Sequence, residues 1–406
     1  MSTVDVASTR SAANPAEARV HMLQTARELV PLLRRNSEQS ERDRQLTPEV
    51  EDALRSAGLF QVTTPRRSGG GGGNIRTLIE VSAEIARGDS SAGWVAFIAN
   101  TTAFGMALFD DDVRDVVYAD PRNVAVSQFG PNGTAREVDG GYRVSGSWAF
   151  ASGCYQAQWT LNGIKIVDDA GNPKEIRFAL LPRTDLEIED TWDMAGMAGT
   201  GSNTFVADDA FVPHEFTIDF DTFQGYKPFT PWHENEAYYR VPLGPAACLA
   251  ISGPIMGMAE GAWDLTLAAM DGDKPITNWN YTNKRQSPSY RLALADARMA
   301  IDTGRFHLLR AADDMDTAAT EGRLLDITAR ARIRGDSAVA ARSFRHAVGL
   351  LLDISGTSSF NLSNPLQRIW RDITVACSHS LNNILLNREI YAHEISGLDT
   401  FEVGPL

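Results

Sequence analysis

The sequence predicts an α+β fold in which a helical part, a strand-rich part and a second helical part follow one another along the chain. Three patterns carry this prediction. Apolar residues recur at helical spacing up to about residue 122, short alternating stretches follow to about residue 222, and long amphipathic patterns fill the rest. Because helices and strands do not alternate, we expect segregated subdomains and not a doubly wound α/β sheet.

The length and composition set the domain organisation. The chain has 406 residues, of which 43% are hydrophobic, enough for more than one packed core. We predict a disordered tail over 1–16, an N-terminal helical subdomain over 17–122, a β subdomain over 123–222, a C-terminal four-helix bundle over 223–400 and a tail over 401–406.

The first helical part carries clear boundary signals. In "LTPEVEDALRSAGLF", Thr47 is placed to cap a helix, Pro48 to occupy its first turn and Gly58 to end it. Two more helices are expected in "NIRTLIEVSAEIARGDSSAGWVAFIANTTAFGMALF", separated at "GDSSAG". The turn signals "PNG", "DGG" and "DDAGNP" then punctuate the strands, and "LQRIWRDITVACSHSLNNILLNREIYAHEISG" is typical of late bundle helices.

Charge and cysteine usage exclude several classes of protein. The formal net charge is -14 and no basic cluster is present, so neither nucleic acid nor an anionic membrane surface is an expected partner. Cys154, Cys248 and Cys377 are widely spaced, which predicts a reducing, cytoplasmic location and no thiolate metal site. The N-terminus lacks an apolar signal core, and Gly and Pro interrupt the longest apolar runs, so no membrane span is expected.

The stretch "RRSGGGGG" at 66–73 is the first candidate for a binding site. Freed glycine N–H groups beside two arginines are typical of a phosphate cradle. The surroundings nevertheless lack a strand–loop–helix pattern, and no G-x-G-x-x-G or phosphate-loop motif is present. We therefore interpret the run as a surface turn chosen for backbone freedom, with Arg66 and Arg67 left as candidates for the edge of a substrate opening.

Motifs for hydrolysis and for metal binding are also missing. The sequence has no G-x-S-x-G elbow and no H-E-x-x-H. His233, Glu234 and Glu236 lie close together, but their spacing suits a polar loop better than a metal site. No metal is predicted.

Four motifs in order resemble the acyl-CoA dehydrogenase superfamily: "GDSSAGWV", "SGSWAFASG", "WDMAGMAGTGSNTFVADDAFVP" and "NPLQRIWRDITVACSH". The resemblance covers about residues 20–400. It implies an N-terminal helical part, a middle β-barrel or sandwich and a C-terminal helical bundle. Within the superfamily, the chain is more similar to the oxygenase components of two-component flavin-dependent monooxygenases, such as those for 4-hydroxyphenylacetate and steroid-derived phenols.

The stretch after "RD" separates the two chemistries of this fold. Dehydrogenases commonly carry a Glu base eight residues past the Asp, but Asp372 plus eight is Ser380, and "SHSLNN" contains no carboxylate. His379 stands one residue earlier, as the monooxygenase resemblance implies. An imidazole can accept a phenol proton or polarise the O–H bond, which pushes electron density into the ring. The alternative is a bundle histidine held by a neighbour.

The resemblance also implies the remaining site residues. Ser152 is expected near the N5 and C4a edge of a flavin as a second catalytic residue, although a plain turn Ser is the alternative. Contacts to the flavin ring, ribityl chain or phosphate are expected from Trp148, Ser152, Trp192, Thr200, Ser202, Arg285, Ser358, Ser359 and Phe360. Substrate contacts are expected from Asn100 and His379. A further one is expected from Trp232, which lies in the aromatic link "FDTFQGYKPFTPWHENEAYY", a composition that suits a lid or wall for a flat apolar substrate. Core packing, a hairpin turn or linker packing are the alternatives for these residues, and Arg371 with Asp372 is expected to form a structural ion pair.

The predicted function follows from the resemblance. The chain is expected to use diffusible reduced FMN or FAD, with O2 as co-substrate, to form a C4a-hydroperoxyflavin that hydroxylates an aromatic or phenolic small molecule, with a polyketide as one candidate. A separate NAD(P)H:flavin reductase and a homotetramer are the expected partners. N-oxygenation of an amino sugar or another amine, acyl-CoA dehydrogenation and a non-enzymatic helical scaffold are the alternatives.

Overall fold

The computed structural model describes residues 15–225, 237–271 and 275–404. The first helical part begins with a long helix whose last turn is followed closely by a capped short one. Its α-helices are α1 (Pro15–Asp43), α2 (Pro48–Ser56), α3 (Ile75–Gly88), α4 (Ser90–Gly105) and α5 (Asp111–Val117). Thr47 caps α2 as predicted, because its hydroxyl accepts the N–H of Val50 at 3.3 Å.

Strands follow between residues 125 and 219. They are β1 (Ala125–Val138), β2 (Gly141–Trp148), β3 (Trp159–Val167), β4 (Pro173–Pro182), β5 (Glu187–Glu189), β6 (Thr204–Pro213) and β7 (Thr217–Asp219). They form one sheet in the order β5-β6-β2-β1-β3-β4-β7. β1 pairs in antiparallel register with β2 and in parallel register with β3.

The chain then returns to helices. These are α6 (Phe220–Gln224), α7 (Leu243–Ala250), α8 (Ser252–Met270), α9 (Pro288–Thr320), α10 (Ile327–Ser355), α11 (Pro365–Ala376) and α12 (Ile384–Ile395). The predicted α–β–α order of an acyl-CoA dehydrogenase-like fold is thus confirmed. The exact subdomain limits stay a prediction.

A stripe of glycines on α8 joins the two helical parts. Gly253, Gly257 and Gly261 lie one turn apart on the face that packs against α3. A Cβ on Gly257 would lie 2.0 Å from the carbonyl oxygen of Ala83. The two helices therefore meet backbone to backbone.

Trp148 belongs to the core of the sheet. Its ring is fully buried and its indole N–H donates to the carbonyl of Gly163 at 2.8 Å. The glycines that face it are required by contact, since a Cβ on Gly133 would lie 2.4 Å from the ring. Trp148 has no exposed surface in this structure, so the geometry supports the alternative of core packing over the predicted flavin contact.

The glycine run after Arg66–Ser68 packs against the segment before it. Its N–H groups donate to carbonyl oxygens in four successive bonds: Gly70 to Pro65 at 3.1 Å, Gly71 to Gln61 at 2.8 Å, Gly72 to Thr64 at 2.9 Å and Gly73 to Val62 at 2.8 Å. A Cβ on Gly70 would lie 2.3 Å from that of Thr64. Close approach, and not only backbone freedom, requires glycine here, and the engaged N–H groups do not form a phosphate cradle.

One helical stretch, Ser90–Leu108, is long and apolar enough to cross a membrane by length and composition. Within the described residues, 89% of this stretch is buried inside the fold.

Replacing Gly257 tests the contact between α3 and α8. We expect Gly257→Ala to destabilise the protein by about 1–3 kcal/mol, because the added methyl group meets a backbone carbonyl that cannot move aside. Gly349→Ala is the matched control: it lies inside α10, where a Cβ meets nothing within 4 Å, and we expect it to stabilise by about 0.5–1 kcal/mol. Denaturant unfolding monitored by circular dichroism measures both. Equal effects of the two substitutions would contradict the packing argument.

Candidate functional site

The turn after β2 holds Ser152 in a fixed orientation. Phe150 adopts left-handed backbone geometry with φ 63°, which costs a non-glycine residue energy. Its carbonyl accepts the N–H of Ser152 at 2.9 Å, and the N–H of Ala151 donates to the carbonyl of Asn203 at 2.9 Å. Such backbone strain persists where the surrounding structure enforces it, and strained residues are frequent at functional sites.

A second strained loop lies against the first. Met197 is left-handed with φ 59°, and the turn Ala198–Thr200 follows it. The N–H of Met197 donates to Oδ1 of Asp372 in α11 at 2.6 Å. The N–H of Gly153 donates to the carbonyl of Thr200 at 3.1 Å, so this loop positions the Ser152 turn.

The two loops are joined by a row of buried hydroxyl groups. Ser152 Oγ lies 2.7 Å from Ser202 Oγ, which lies 2.6 Å from Thr200 Oγ1. Thr200 Oγ1 donates to the carbonyl oxygen of Met197 at 2.7 Å. The indole N–H of Trp94, from α4, donates to Ser152 Oγ at 3.1 Å and closes the other end of the row.

Trp94 also brings His379 into the site. The two rings meet edge to face with their centroids 5.7 Å apart. His379 therefore lies one side chain away from Ser152. Trp94 itself was missed as a site residue, although it stands in the quoted motif "GDSSAGWV"; the missing signal was its indole N–H, whose direction a sequence does not give.

The environment of His379 fixes its protonation. Its Nδ1 accepts the backbone N–H of Leu381 at 3.2 Å, at the start of a short 3-10 turn. Although part of the residue reaches the surface, burial of the imidazole lowers its pKa to about 4. The ring is therefore neutral near pH 7, and because Nδ1 is an acceptor, the proton resides on Nε2.

An exposed apolar rim surrounds the serine turn. Phe150, Tyr155 and Met194 are exposed by 63%, 44% and 42%. The ring of buried Trp192 packs edge to face on Phe150, with centroids 5.8 Å apart. Flat apolar surface next to a small set of oriented polar groups is the chemistry that a flavin ring requires, so these residues fit that cofactor.

Buried carboxyl groups support the loops from below. Burial raises the pKa of Asp372 and of Asp89 to about 6 in each case. Asp89 caps α4 by accepting the N–H groups of Ser91 and Ala92. The predicted ion pair between Arg371 and Asp372 is wrong, because Arg371 pairs with Glu41 at 2.5 Å and donates to the carbonyl of Ala195 at 2.6 Å.

Asn100 serves the packing of α4. Its side-chain N–H groups donate to the carbonyls of Leu59 and Ala96, both at 2.8 Å, and its Oδ1 accepts the N–H of Thr63 at 3.3 Å. The residue is 1% exposed. Because both amide N–H groups already donate to backbone carbonyls and the residue is buried, the expected substrate contact of Asn100 disagrees with the structure.

The predicted phosphate-binding residues form a second cluster, on the bundle. Lys284 links the segment that carries Arg285 to the end of α10, because its Nζ donates to the carbonyls of Ile354 and Ser355 at 3.0 and 2.8 Å. Arg285, beside it, pairs with Asp271. The turn Thr357–Phe360 follows α10 directly. Further contacts within this segment are the bond of Ser359 Oγ to the carbonyl of Gly356 at 2.6 Å, and the edge-to-face contact of Phe360 with Trp370; Ser358 is exposed.

Trp232 and the weak metal candidates His233, Glu234 and Glu236 lie outside the described residues. Of the aromatic link after the sheet, Phe223 stacks on Phe178 with ring centroids 3.9 Å apart. Within the described parts of the chain, no group of three His, Cys, Asp or Glu residues is arranged to hold a metal ion.

Comparisons with known proteins agree with this geometry. The family model "Acyl-CoA dehydrogenase, N-terminal domain" matches residues 18–110, and "Acyl-CoA dehydrogenase, C-terminal domain" matches residues 249–384. The oxygenase component of an FADH(2)-dependent resorcinol hydroxylase from Rhizobium sp. is 34% identical over 91% of this chain and 92% of its own length.

Two further relatives support the match. Oxygenase subunit HsaA, a flavin-dependent monooxygenase of Rhodococcus jostii, is 30% identical over 87% of this chain and 93% of its own length. The solved structure of XiaF from Streptomyces sp., in complex with FADH2 and glycerol, superimposes with a TM-score of 0.90 at 29% identity. That match covers 95% of this chain and 98% of XiaF.

The buried carboxyl group of Asp372 predicts that the stability of the protein depends on pH. Its pKa rises on folding from 3.8 to about 6, so the protonated form favours the folded state, and this contribution is lost as the pH rises through 6. Asp372→Asn keeps an acceptor for the Met197 N–H without the charge. We expect it to raise the melting temperature at pH 8 more than at pH 5. Calorimetry at pH 5 and pH 8 measures the melting temperatures, and an equal fall in melting temperature at the two pH values would contradict the argument.

Proposed function

This chain belongs to the flavin-dependent monooxygenase oxygenase components of the acyl-CoA dehydrogenase family, and we propose that it hydroxylates a phenolic small molecule. It is an enzyme that uses reduced flavin from a separate reductase together with O2. The cluster of His379, Trp94 and Ser152 is the observation that carries the proposal, because it places a neutral hydrogen-bond donor beside an oriented serine. The resorcinol hydroxylase supports the choice of a phenol as substrate.

The alternatives are less favoured. An acyl-CoA dehydrogenase needs a base that takes an α-proton, and the segment around His379 carries no carboxylate. The two curated relatives named above are a hydroxylase and a monooxygenase by name, and neither name refers to an amine. Amine oxygenation is therefore the weaker choice on the same fold.

His379 acts on the substrate oxygen as a donor. A base with a pKa near 4 is too weak to deprotonate a phenol with a pKa near 10. The pKa difference of about six makes the proton transfer unfavourable by ~8 kcal/mol. The neutral ring instead offers its Nε2–H to the substrate. That bond stabilises negative charge on the phenol oxygen and so raises electron density in the ring. Of the two roles expected from the sequence, polarisation is the one that this geometry supports.

Reduced flavin, when bound, activates O2 and supplies one oxygen atom to the substrate. Ser152 binds the polar edge of the flavin ring, and Phe150 with Trp192 provides apolar surface that keeps water away from it. Thr200 and Ser202 act behind Ser152, since their hydroxyl groups already bond to each other and to Met197.

We assign Arg285, Ser358, Ser359 and Phe360 to the phosphate end of a flavin shared with a neighbouring subunit of a homotetramer. The outer face of α9 supports association with further copies, because Leu292, Met299 and Phe306 repeat every seven residues and are exposed by 67%, 67% and 75%. A cytoplasmic location agrees with the free, buried state of the three cysteines.

The direct test supplies reduced FAD or FMN without a reductase. The protein and reduced flavin are mixed anaerobically, then exposed to O2 with resorcinol as probe, and hydroxylated product and H2O2 are counted per flavin. We expect product with resorcinol or with another simple phenol from a small panel. Quantitative H2O2 release with every phenol, at the rate of free flavin, would refute the proposed function.

Substitution of His379 separates its two contacts. His379→Asn keeps a capping oxygen for the Leu381 N–H but is too short to replace Nε2, whereas His379→Ala loses both. We expect either variant to release mostly H2O2 in place of product, with a product yield that is lower by tenfold or more. A tenfold loss corresponds to about 1.4 kcal/mol. Recovery of product in His379→Asn alone would show that only the cap matters.

The low pKa of His379 predicts the pH profile. Because the pKa of His379 is about 4, the ring stays neutral from pH 5.5 to 8. The ratio of product to H2O2 should therefore show no transition with a midpoint near pH 6.5. The matching NMR measurement follows the His379 resonance, assigned by its absence in His379→Asn. A titration near pH 6.5 would contradict this prediction.

A further inference from the structure

The contacts of the hydroxyl groups behind Ser152 favour one order of protons. A carbonyl oxygen only accepts hydrogen bonds, so the hydroxyl group of Thr200 donates its one proton to the carbonyl oxygen of Met197. Ser202 must then donate to Thr200 at 2.6 Å, and Ser152 must donate to Ser202 at 2.7 Å. The indole N–H of Trp94 only donates, and it occupies one lone pair of Ser152.

Ser152 is consequently left as an acceptor. Its proton is committed to Ser202 and one lone pair to Trp94, which leaves one lone pair for a ligand. Reversal of the row would leave Thr200 Oγ1 and the carbonyl oxygen of Met197 as two acceptors 2.7 Å apart, and this repulsion favours the stated order. The carbonyl end is anchored further, since Met197 also accepts the indole N–H of Trp192 at 3.0 Å and donates its own N–H to Asp372 at 2.6 Å.

The two redox states of a flavin differ at the atom that such a serine would meet. Reduced flavin carries a hydrogen on N5 and donates there, whereas N5 of oxidised flavin carries a lone pair and only accepts. An acceptor bonds to the first and repels the second. We propose that Ser202 and Thr200 are positioning residues that hold Ser152 as an acceptor and thereby make this protein prefer reduced over oxidised flavin.

This inference rests on the proposed function, because it requires Ser152 to face N5. It goes further by assigning the redox preference to two residues that touch the flavin only through Ser152. The preference matters for an enzyme that collects reduced flavin from solution, since oxidised flavin would otherwise occupy the same site and block it.

Ser202→Ala tests the inference through binding alone. The substitution frees the Ser152 proton for N5 of oxidised flavin and leaves its lone pair for reduced flavin. We expect the Kd for oxidised FAD to fall about fivefold, the effect of one neutral hydrogen bond, while the Kd for reduced FAD, measured anaerobically, stays unchanged. Thr200→Val should act in the same way, because Ser202 then turns its proton to Ser152.

Controls separate this effect from damage to the loop. Thr200→Ser keeps the hydroxyl and should bind as the wild type does. Oxidised 5-deaza-FAD has a C–H group in place of N5, so Ser202→Ala should not improve its binding. The same fivefold change lowers the midpoint potential of bound flavin by about 20 mV, because flavin takes two electrons.

The outcomes are distinct. Weaker binding of both redox states in Ser202→Ala and Thr200→Val, or an equal gain for 5-deaza-FAD, would overturn the inference and leave the proposed function standing. An unchanged Kd for oxidised FAD in both variants would do the same. Failure of the wild-type protein to bind reduced FAD or FMN at all would refute the proposed function with it.

Discussion

The hydrogen bond between the Met197 N–H and the buried Asp372 carboxyl is the constraint on which the site depends. It fixes a left-handed residue against α11 and so sets the carbonyl that ends the hydroxyl row. The same loop accepts the N–H of Gly153 and holds the Ser152 turn. Because the carboxyl lies deep in the protein, the bond costs desolvation, and its value lies in geometry more than in stability.

The site works with neutral groups of fixed direction. His379 is neutral because burial disfavours its charged form, and in the proposed order of protons the hydroxyl of Ser152 donates to Ser202. Neither group competes with water as a free charge would. This arrangement suits a reaction in which the cofactor supplies the oxidant and the protein must orient donors, present acceptors and exclude water.

Glycine controls how closely the parts approach. The stripe on α8 lets the bundle meet α3, and the run after Ser68 lets two backbone segments bond along their length. In the sheet, Gly133 makes room for Trp148. A sequence shows such glycines as flexible positions, whereas the folded chain uses them as points of contact, because the absence of Cβ matters only once a neighbour is present.

The sequence alone determined the α–β–α order and the helix signals at Thr47, because periodicity, capping and motif order are local properties of the chain. The roles of His379 and Ser152 came from the resemblance and stay predictions. The direction of a side chain is not local. Only the tertiary structure decided that Trp148 faces the sheet core, that the amide N–H groups of Asn100 donate to backbone carbonyls and that Trp94 lies between Ser152 and His379. The order of protons along the hydroxyl row, too, depends on which atoms meet across separate loops, and that is a property of the fold.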